Sequence, residues 1–379
     1  MEKREKPVRS IAAGSLVLFC LGCSPVSEKP SFYSGVDIIT IKMSDEGFQQ
    51  LSGNTFFNDW IGVNVVESYR EYDGRLRISG NISRHDIKKS YHLDLFNGND
   101  SKRLQHDYVL SAQMRDESCV RYRLASYYFE KAGLRCSHLR PVELYFNNKL
   151  QGLYLERENV DSAFFVDRQL PVSSLYKVNC RAKLNAGDKM VAEQMFEKKL
   201  PDGDLCYYDI GRLIDLVTDG IDSSSISSLR RILDVENTLD YYAVSILVNN
   251  GDGIDNNYYL YLNPETGLFE FIPWDLDQTF KELYSSLPHC KNGIFEQLEE
   301  LPGMRDYVED RIIQLFDREE ALFLADSLMV EIEGAYTRDP FLNSLNYDVR
   351  RGLAQINDYI NNMHEIISEF EKWNTNRQK

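Results

Sequence analysis

The chain has 379 residues, a formal net charge of −16, 43% hydrophobic and 27% charged residues, which places it among folded globular proteins with material for one large or two smaller cores. Lys and Arg form no basic stripe, so nucleic acid is excluded as the main partner, because phosphate contacts need clustered cations. The acidic excess favours solubility and basic partners or cations without naming one.

Residues 1–23 differ from the rest. Lys3, Arg4, Lys6 and Arg9 precede an apolar run from Ile11 to Gly22, the length of a secretory core and too short to span a bilayer. Leu21-Gly22-Cys23 followed by Ser24-Pro25 resembles a bacterial lipoprotein signal, with Cys20 standing where an aliphatic residue is usual. The resemblance implies cleavage before Cys23, lipidation of Cys23, residues 24–34 as a flexible tether, membrane attachment through the lipid, and a place in the bacterial cell envelope. Plain secretion and an uncleaved hydrophobic N-terminus are the alternatives.

Strands are expected at Val36–Ile41, Trp60–Tyr69 and Arg75–Ile78, then on the face shared by Lys89, Tyr91, Leu93 and Leu95. Leu124, Tyr127, Tyr128 and Ala132 recur at helical intervals before Gly133, a C-cap candidate. Val142–Phe146, Asn147-Asn148-Lys149 and Leu150–Glu156 form the clearest hairpin. Helices are expected at Asp188–Lys198, Ile226–Leu233 and Thr238–Asn249, a second hairpin at Tyr258–Ile272, and helices alone after Pro302, including Tyr307–Met329 and Leu353–Phe370. Beyond Cys23, Cys119, Cys136, Cys180, Cys206 and Cys290 match no zinc spacing. A Cys119–Cys136 bridge and buried free thiols are both open.

Chemistry concentrates around the second hairpin. Asp252 and Asn257 stand five apart, the interval between the base and the metal-holding Asn of a protein-kinase catalytic loop. Asp275 follows the second strand after Pro273-Trp274, and Asp277 shares its side if the backbone stays extended. Phosphoryl transfer from ATP needs divalent cations held by such oxygens and a carboxylate near the acceptor hydroxyl. Asn/Asp/Gly loops are also ordinary turn chemistry, and the partial likeness to a calcium loop ends at Asn263, where a glutamate is required. Upstream, Gly80–Arg84 with Lys88 and Lys89 offers amide groups and cations to a phosphate, or a solvated basic turn.

Arg77-Ile-Ser-Gly80-Asn-Ile-Ser83-Arg84, Lys88–Tyr91, Gly152–Glu156, Leu175–Lys177, Asp252–Tyr261 and Ile272-Pro-Trp274-Asp275-Leu-Asp277 resemble, in order, the spore coat protein H family of atypical protein kinases. The resemblance spans about residues 36–290 and implies an α+β, divergent kinase-like fold. Its β-rich nucleotide-side lobe would occupy residues 35–160 and its mainly helical catalytic lobe residues 161–376. It implies ATP with Mg2+ or Mn2+, and a protein substrate with Ser or Thr acceptors, of which a basic one would suit the chain's charge. By matching motif, Asp252 would be the catalytic aspartate and Asn257, Asp275 and Asp277 the metal ligands. Arg84, Lys88, Glu156 and Lys177 would contact the nucleotide. The ion-pair partner of Lys88 stays open among Glu117, Glu130 and Glu156. Gln278–Glu282 departs from the glycine-containing continuation usual in the family. A non-catalytic envelope or attachment protein on the same fold is the alternative function.

Overall fold

The computed structural model describes residues 36–53, 56, 58–68, 70–80, 83–96, 107–179, 192–281 and 293–377. The expected leader, Cys23 and its tether, Cys180 and Cys290 lie outside them.

The first half forms a closed barrel. β1 (Asp37–Lys42) leads through α1 (Asp45–Gly53) to β2 (Ile61–Glu67), β3 (Arg70–Ile78), β4 (Tyr91–Phe96) and β5 (Asp107–Ser111). After α2 (Arg121–Lys131) come β6 (Leu139–Phe146) and β7 (Lys149–Glu158). The order around the barrel is β1-β2-β3-β4-β5-β7-β6. Closure comes from β1 and β6, which run parallel with Ile39 opposite Leu144; every other pair is antiparallel. Period-two alternation fixes the inner face: Ile39, Ile41, Val63, Val65, Leu76, Leu93, Leu110, Val142, Leu144 and Tyr154 all point into one core. β7 carries a bulge opposite Leu144 and Tyr145, where Gly152 takes φ +104°.

The chain continues through α3 (Ser162–Asp167), β8 (Leu175–Val178), α4 (Ala192–Met195) and β9 (Phe196–Leu200) to α5 (Tyr208–Asp219), α6 (Ile226–Leu229) and α7 (Val235–Leu247). A one-turn helix, α8 (Asp252–Asp255), then introduces β10 (Tyr258–Asn263) and β11 (Leu268–Pro273). These strands form an antiparallel sheet ordered β11-β10-β8-β9. The remainder is helical: α9 (Gly293–Glu299), α10 (Met304–Leu315), α11 (Arg318–Arg338), α12 (Pro340–Ser344) and α13 (Val349–Arg377). The fold is mixed α+β, and among the described residues no helix is long and apolar enough to cross a membrane.

α7 is the hub of the second half. Leu239, Tyr241, Tyr242, Ala243, Val244, Ile246 and Leu247 are all buried, so apolar residues surround the helix rather than forming one stripe. Asp234 starts it by accepting from Asn237 N at 3.0 Å. Tyr241 and Tyr242 stack on Phe295, and Tyr241 also packs on Phe271, tying α7 to α9 and β11. This core reaches across position 160: Leu153 and Leu155 of β7 and most of α2 belong to it.

Several expectations change. Asp188–Lys198 is not one helix: α4 gives way at Phe196 to β9, an edge strand whose Glu197, Lys198 and Lys199 supply charge at the sheet margin, while 188–191 lie outside the described residues. Phe196 and Leu200 share a face in either conformation, since a spacing of four suits both periods. Tyr307–Met329 is divided at Phe316-Asp317, where Asp317 caps α11 by accepting from Glu320 N at 2.7 Å. α1, β5 and α5 were not expected. Cys119 and Cys136 are free, buried thiols, not a bridge.

Candidate active site

The β10–β11 hairpin builds the site. Tyr258 faces Pro273, and Trp274 N donates to Asn257 O at 3.1 Å, which sets Asn257 opposite Trp274 and next to Asp275 at the hairpin's open end. Both Asn257 (φ +54°) and Asp275 (φ +61°) are left-handed, a conformation Asn and Asp adopt more readily than other side-chain-bearing residues. Extended pairing stops there, and both side chains turn away from the ladder.

Asp252 arrives from α7. Gly253 N donates to Asn250 Oδ1 at 3.2 Å, and Tyr241 Oη donates to Gly253 O at 2.6 Å from within the core, so the short turn is braced from below. A Cβ on Gly253 would meet the Asn250 amide at 2.0 Å, so any larger residue there would have to displace that amide. The exposed Asp252 carboxylate then accepts from Asn257 Nδ2 at 2.6 Å.

Asp275 is held by groups from the barrel side. Arg157 Nη1 donates to Asp275 Oδ1 at 2.9 Å, and Asp275 N donates to Tyr122 Oη at 3.0 Å. The guanidinium also reaches Tyr122 Oη at 3.2 Å and lies 3.9 Å above the Trp274 ring. Burial opposes the charge on Arg157, but Tyr122 and Asp275 hold its pKa above the usual value. Lys177 enters from β8, with its ammonium 5.6 Å from the Trp274 ring and 5.8 Å from that of Tyr259. Burial first, then Lys199 and Arg157, lowers its pKa, and Asp275 opposes them. Asp277 is half-buried and its carboxyl is pushed up to about 7, chiefly by burial and then by the Asp275 carboxylate.

Five of the residues singled out from sequence thus gather around one hairpin end: Asp252, Asn257, Asp275, Asp277 and Lys177. Three do not. Lys88 is closed to solvent and pairs with Asp339 at 2.6 Å, so its ammonium is presented to no ligand, and its partner is none of Glu117, Glu130 or Glu156. Glu117 pairs instead with Arg351, and Glu156 accepts from Arg140 at 2.8 and 2.9 Å at one end of the barrel interior. Arg84 lies in the 3-10 turn Ser83–His85 and donates to Asn58 Oδ1 at 2.7 Å.

Sequence reasoning missed Arg157 and Tyr122. The signal for Arg157 was present: in an alternating strand it must face opposite to Glu156, and with Glu156 turned into the barrel Arg157 faces the hairpin. Tyr122 carried no signal beyond its helical position.

Oxygen donors of this kind suit a hard cation. Among the described residues no group of three or more His, Cys, Asp or Glu is arranged to hold a metal. Mg2+ at phosphoryl-transfer sites takes only one or two carboxylates, completing its shell with water and substrate phosphates, so Asp275, Asp277 and the Asn257 amide oxygen fit it without a full protein cage.

The chain is 25% identical over 254 residues to the inner spore coat protein H of Bacillus subtilis (strain 168), covering 65% of this chain and 70% of that protein. It is also similar to a Helicobacter pylori proinflammatory kinase, CtkA, at 12% identity over 74% of this chain and 95% of that structure, with a TM-score of 0.34, too distant to bear on function. The CotH kinase protein family matches residues 76–379, which include the barrel from the end of β3 onward and the whole hairpin site, and the chain belongs to that family.

Proposed function

We propose that the chain is an ATP-dependent protein serine/threonine kinase of the spore coat protein H type, its barrel forming the nucleotide-side lobe and its helical part the catalytic lobe of a divergent kinase-like fold. One observation carries the reading: Asp252 is hydrogen-bonded to Asn257 at the hairpin end that also bears Asp275. Asp252 would accept the proton of the acceptor hydroxyl as its oxygen bonds to the γ-phosphorus and the bond to the β,γ-bridging oxygen breaks, releasing ADP. Asn257, Asp275 and Asp277 would hold Mg2+ or Mn2+, which supplies charge neutralisation at the phosphate oxygens. Lys177 and Arg157 would face the nucleotide's anionic groups, and Arg84 would be a further nucleotide contact; Lys88 and Glu156, each held in a buried ion pair, would not take part.

The test is transfer of labelled phosphate from ATP, with Mg2+ or Mn2+, to the protein itself and to Ser- or Thr-containing basic proteins. Asp252→Ala and Asp275→Ala should abolish it. Equal incorporation by all three proteins would remove the assignment, and a wild-type protein that binds no nucleotide would favour an attachment role on the same fold.

We also propose an envelope location through lipid on Cys23. Its support is the Leu-Gly-Cys run after an apolar core, together with a relative that is a spore coat protein. Mass spectrometry should find a lipid-sized increment lost in Cys23→Ala; an unmodified N-terminus would overturn it.

A further inference from the structure

Arg157 stands in an unusual relation to Asp275. Its side chain is 8% exposed, whereas that of Asp275 is 46% exposed. A buried, permanently charged guanidinium therefore neutralises a carboxylate that still reaches solvent. The pair is fixed on both sides: Trp274 covers the guanidinium face, and Tyr122 contacts both Arg157 Nη1 and Asp275 N. Arg157 Nε is buried and has no hydrogen-bond partner among the described residues. A guanidinium donates through a planar fork, and Tyr122 and Asp275 occupy only its Nη1, which leaves Nη2 to donate to an anionic ligand.

From this geometry we infer that Arg157 is a built-in counter-ion, occupying the electrostatic place of a cation at Asp275 until a phosphate-bearing ligand takes up its donors. The inference rests on the kinase reading for the nature of the ligands. Its chemistry is local: a divalent ion approaching Asp275 meets a fixed positive charge 2.9 Å from Oδ1 and is disfavoured. An anion that engages the guanidinium relieves that repulsion. Cation and anion binding are thereby coupled through one side chain, and coupling of this kind typically amounts to about 5–150-fold in affinity. Arg157 is in this sense a positioning residue that orders ligand binding.

The experiment measures Mn2+ binding alone, by loss of the free-ion electron paramagnetic resonance signal, and ATP binding in EDTA, by calorimetry, for the wild type, Arg157→Met and Arg157→Lys. Arg157→Met should bind Mn2+ alone at least about fivefold more tightly. It should bind metal-free ATP about tenfold more weakly. Arg157→Lys, which retains the charge, should bind Mn2+ within about twofold of wild type. A merely structural Arg157 would weaken both ligands together on replacement, and unchanged or weaker Mn2+ binding by a folded Arg157→Met overturns the inference. If Arg157→Met lacks a cooperative thermal transition, Arg157→Gln, which removes the charge but keeps a donor, carries the same comparison. A wild type that binds no nucleotide under any condition defeats the kinase reading, while the Mn2+ comparison still decides the counter-ion role.

Discussion

Lys88 and Asp339, 251 positions apart, meet at 2.6 Å with both side chains wholly closed to solvent. The reason lies in β7. Its pairing with β5 ends at Ser111 opposite Leu155, so no strand of β5 reaches Leu153. Leu153 N instead donates to Asp339 Oδ2 at 2.8 Å and Leu153 O accepts from the Lys88 ammonium. The ion pair thus replaces a missing strand and ties the barrel to the C-terminal helices. Burial, the larger influence, lowers the Lys88 pKa, and Asp339 opposes it.

Removing one partner should therefore cost far more than the pair itself contributes. Lys88→Met leaves a buried carboxylate without its counter-charge, which destabilises by about 3–5 kcal/mol. Asp339 also caps α12 through Phe341 N and Leu342 N at 2.8 and 3.0 Å, so the double variant Lys88→Met/Asp339→Leu should recover part of the loss but not the cap's share of about 1 kcal/mol. Urea unfolding measures both, and a Lys88→Met loss below about 1 kcal/mol contradicts the account.

Gly152 is the other half of the same contact. At φ +104°, a Cβ there would lie 2.0 Å from Asp339 Oδ2. Gly152→Ala should cost more than about 2 kcal/mol, through backbone strain together with displacement of Asp339. Glycines with open space around them separate strain from steric exclusion: Gly133→Ala, at φ +95° with nothing near its Cβ, should cost less. Equal losses in the two variants would show that the carboxylate contact is unimportant.

These contacts also mark what the sequence could disclose. The β10–β11 hairpin was legible because its alternating aromatic residues and Asn263–Gly267 turn are local, and Asp252, Asn257 and Asp275 came with it. Asp339 precedes Pro340 and reads locally only as a helix cap; nothing near it in sequence indicates Lys88. The same holds for Tyr122 at Asp275, 153 positions away. Lys88 was singled out from a basic turn and Glu156 from a motif resemblance, whereas the packing that buries one against α12 and the other inside the barrel is long-range.

The proposed kinase reading predicts a kinetic split between Asp252 and Asp275. Asp252→Asn should lower turnover about 10²–10⁴-fold, the usual worth of a general base, with nucleotide affinity nearly unchanged. Asp275→Asn should weaken binding of the metal–nucleotide complex as well. Turnover at saturating ATP and nucleotide affinity by calorimetry distinguish them, and an Asp252→Asn protein that keeps wild-type turnover would remove Asp252 from the proton's path.

Stability should also depend on pH through Glu156, remote from the hairpin. Inside the barrel end, one guanidinium, Arg140, faces three carboxylates: Glu156, Glu67 and Asp37. Burial is the largest influence on Glu156, and repulsion from Glu67 and Asp37 adds to it; together they outweigh Arg140 and raise the carboxyl from 4.5 to about 7. Between those values the folded protein holds a proton that the unfolded chain has released. The contribution is thus fully present below pH 4.5 and lost as pH rises through about 7, a change of about 3 kcal/mol. Glu156→Gln keeps a neutral group there at every pH, so the difference between its unfolding free energy and that of wild type should shift toward the variant by this amount from pH 4.5 to 8. A pH-independent difference would mean that Glu156 is already ionised in the folded protein at acid pH, with Arg140 prevailing over burial.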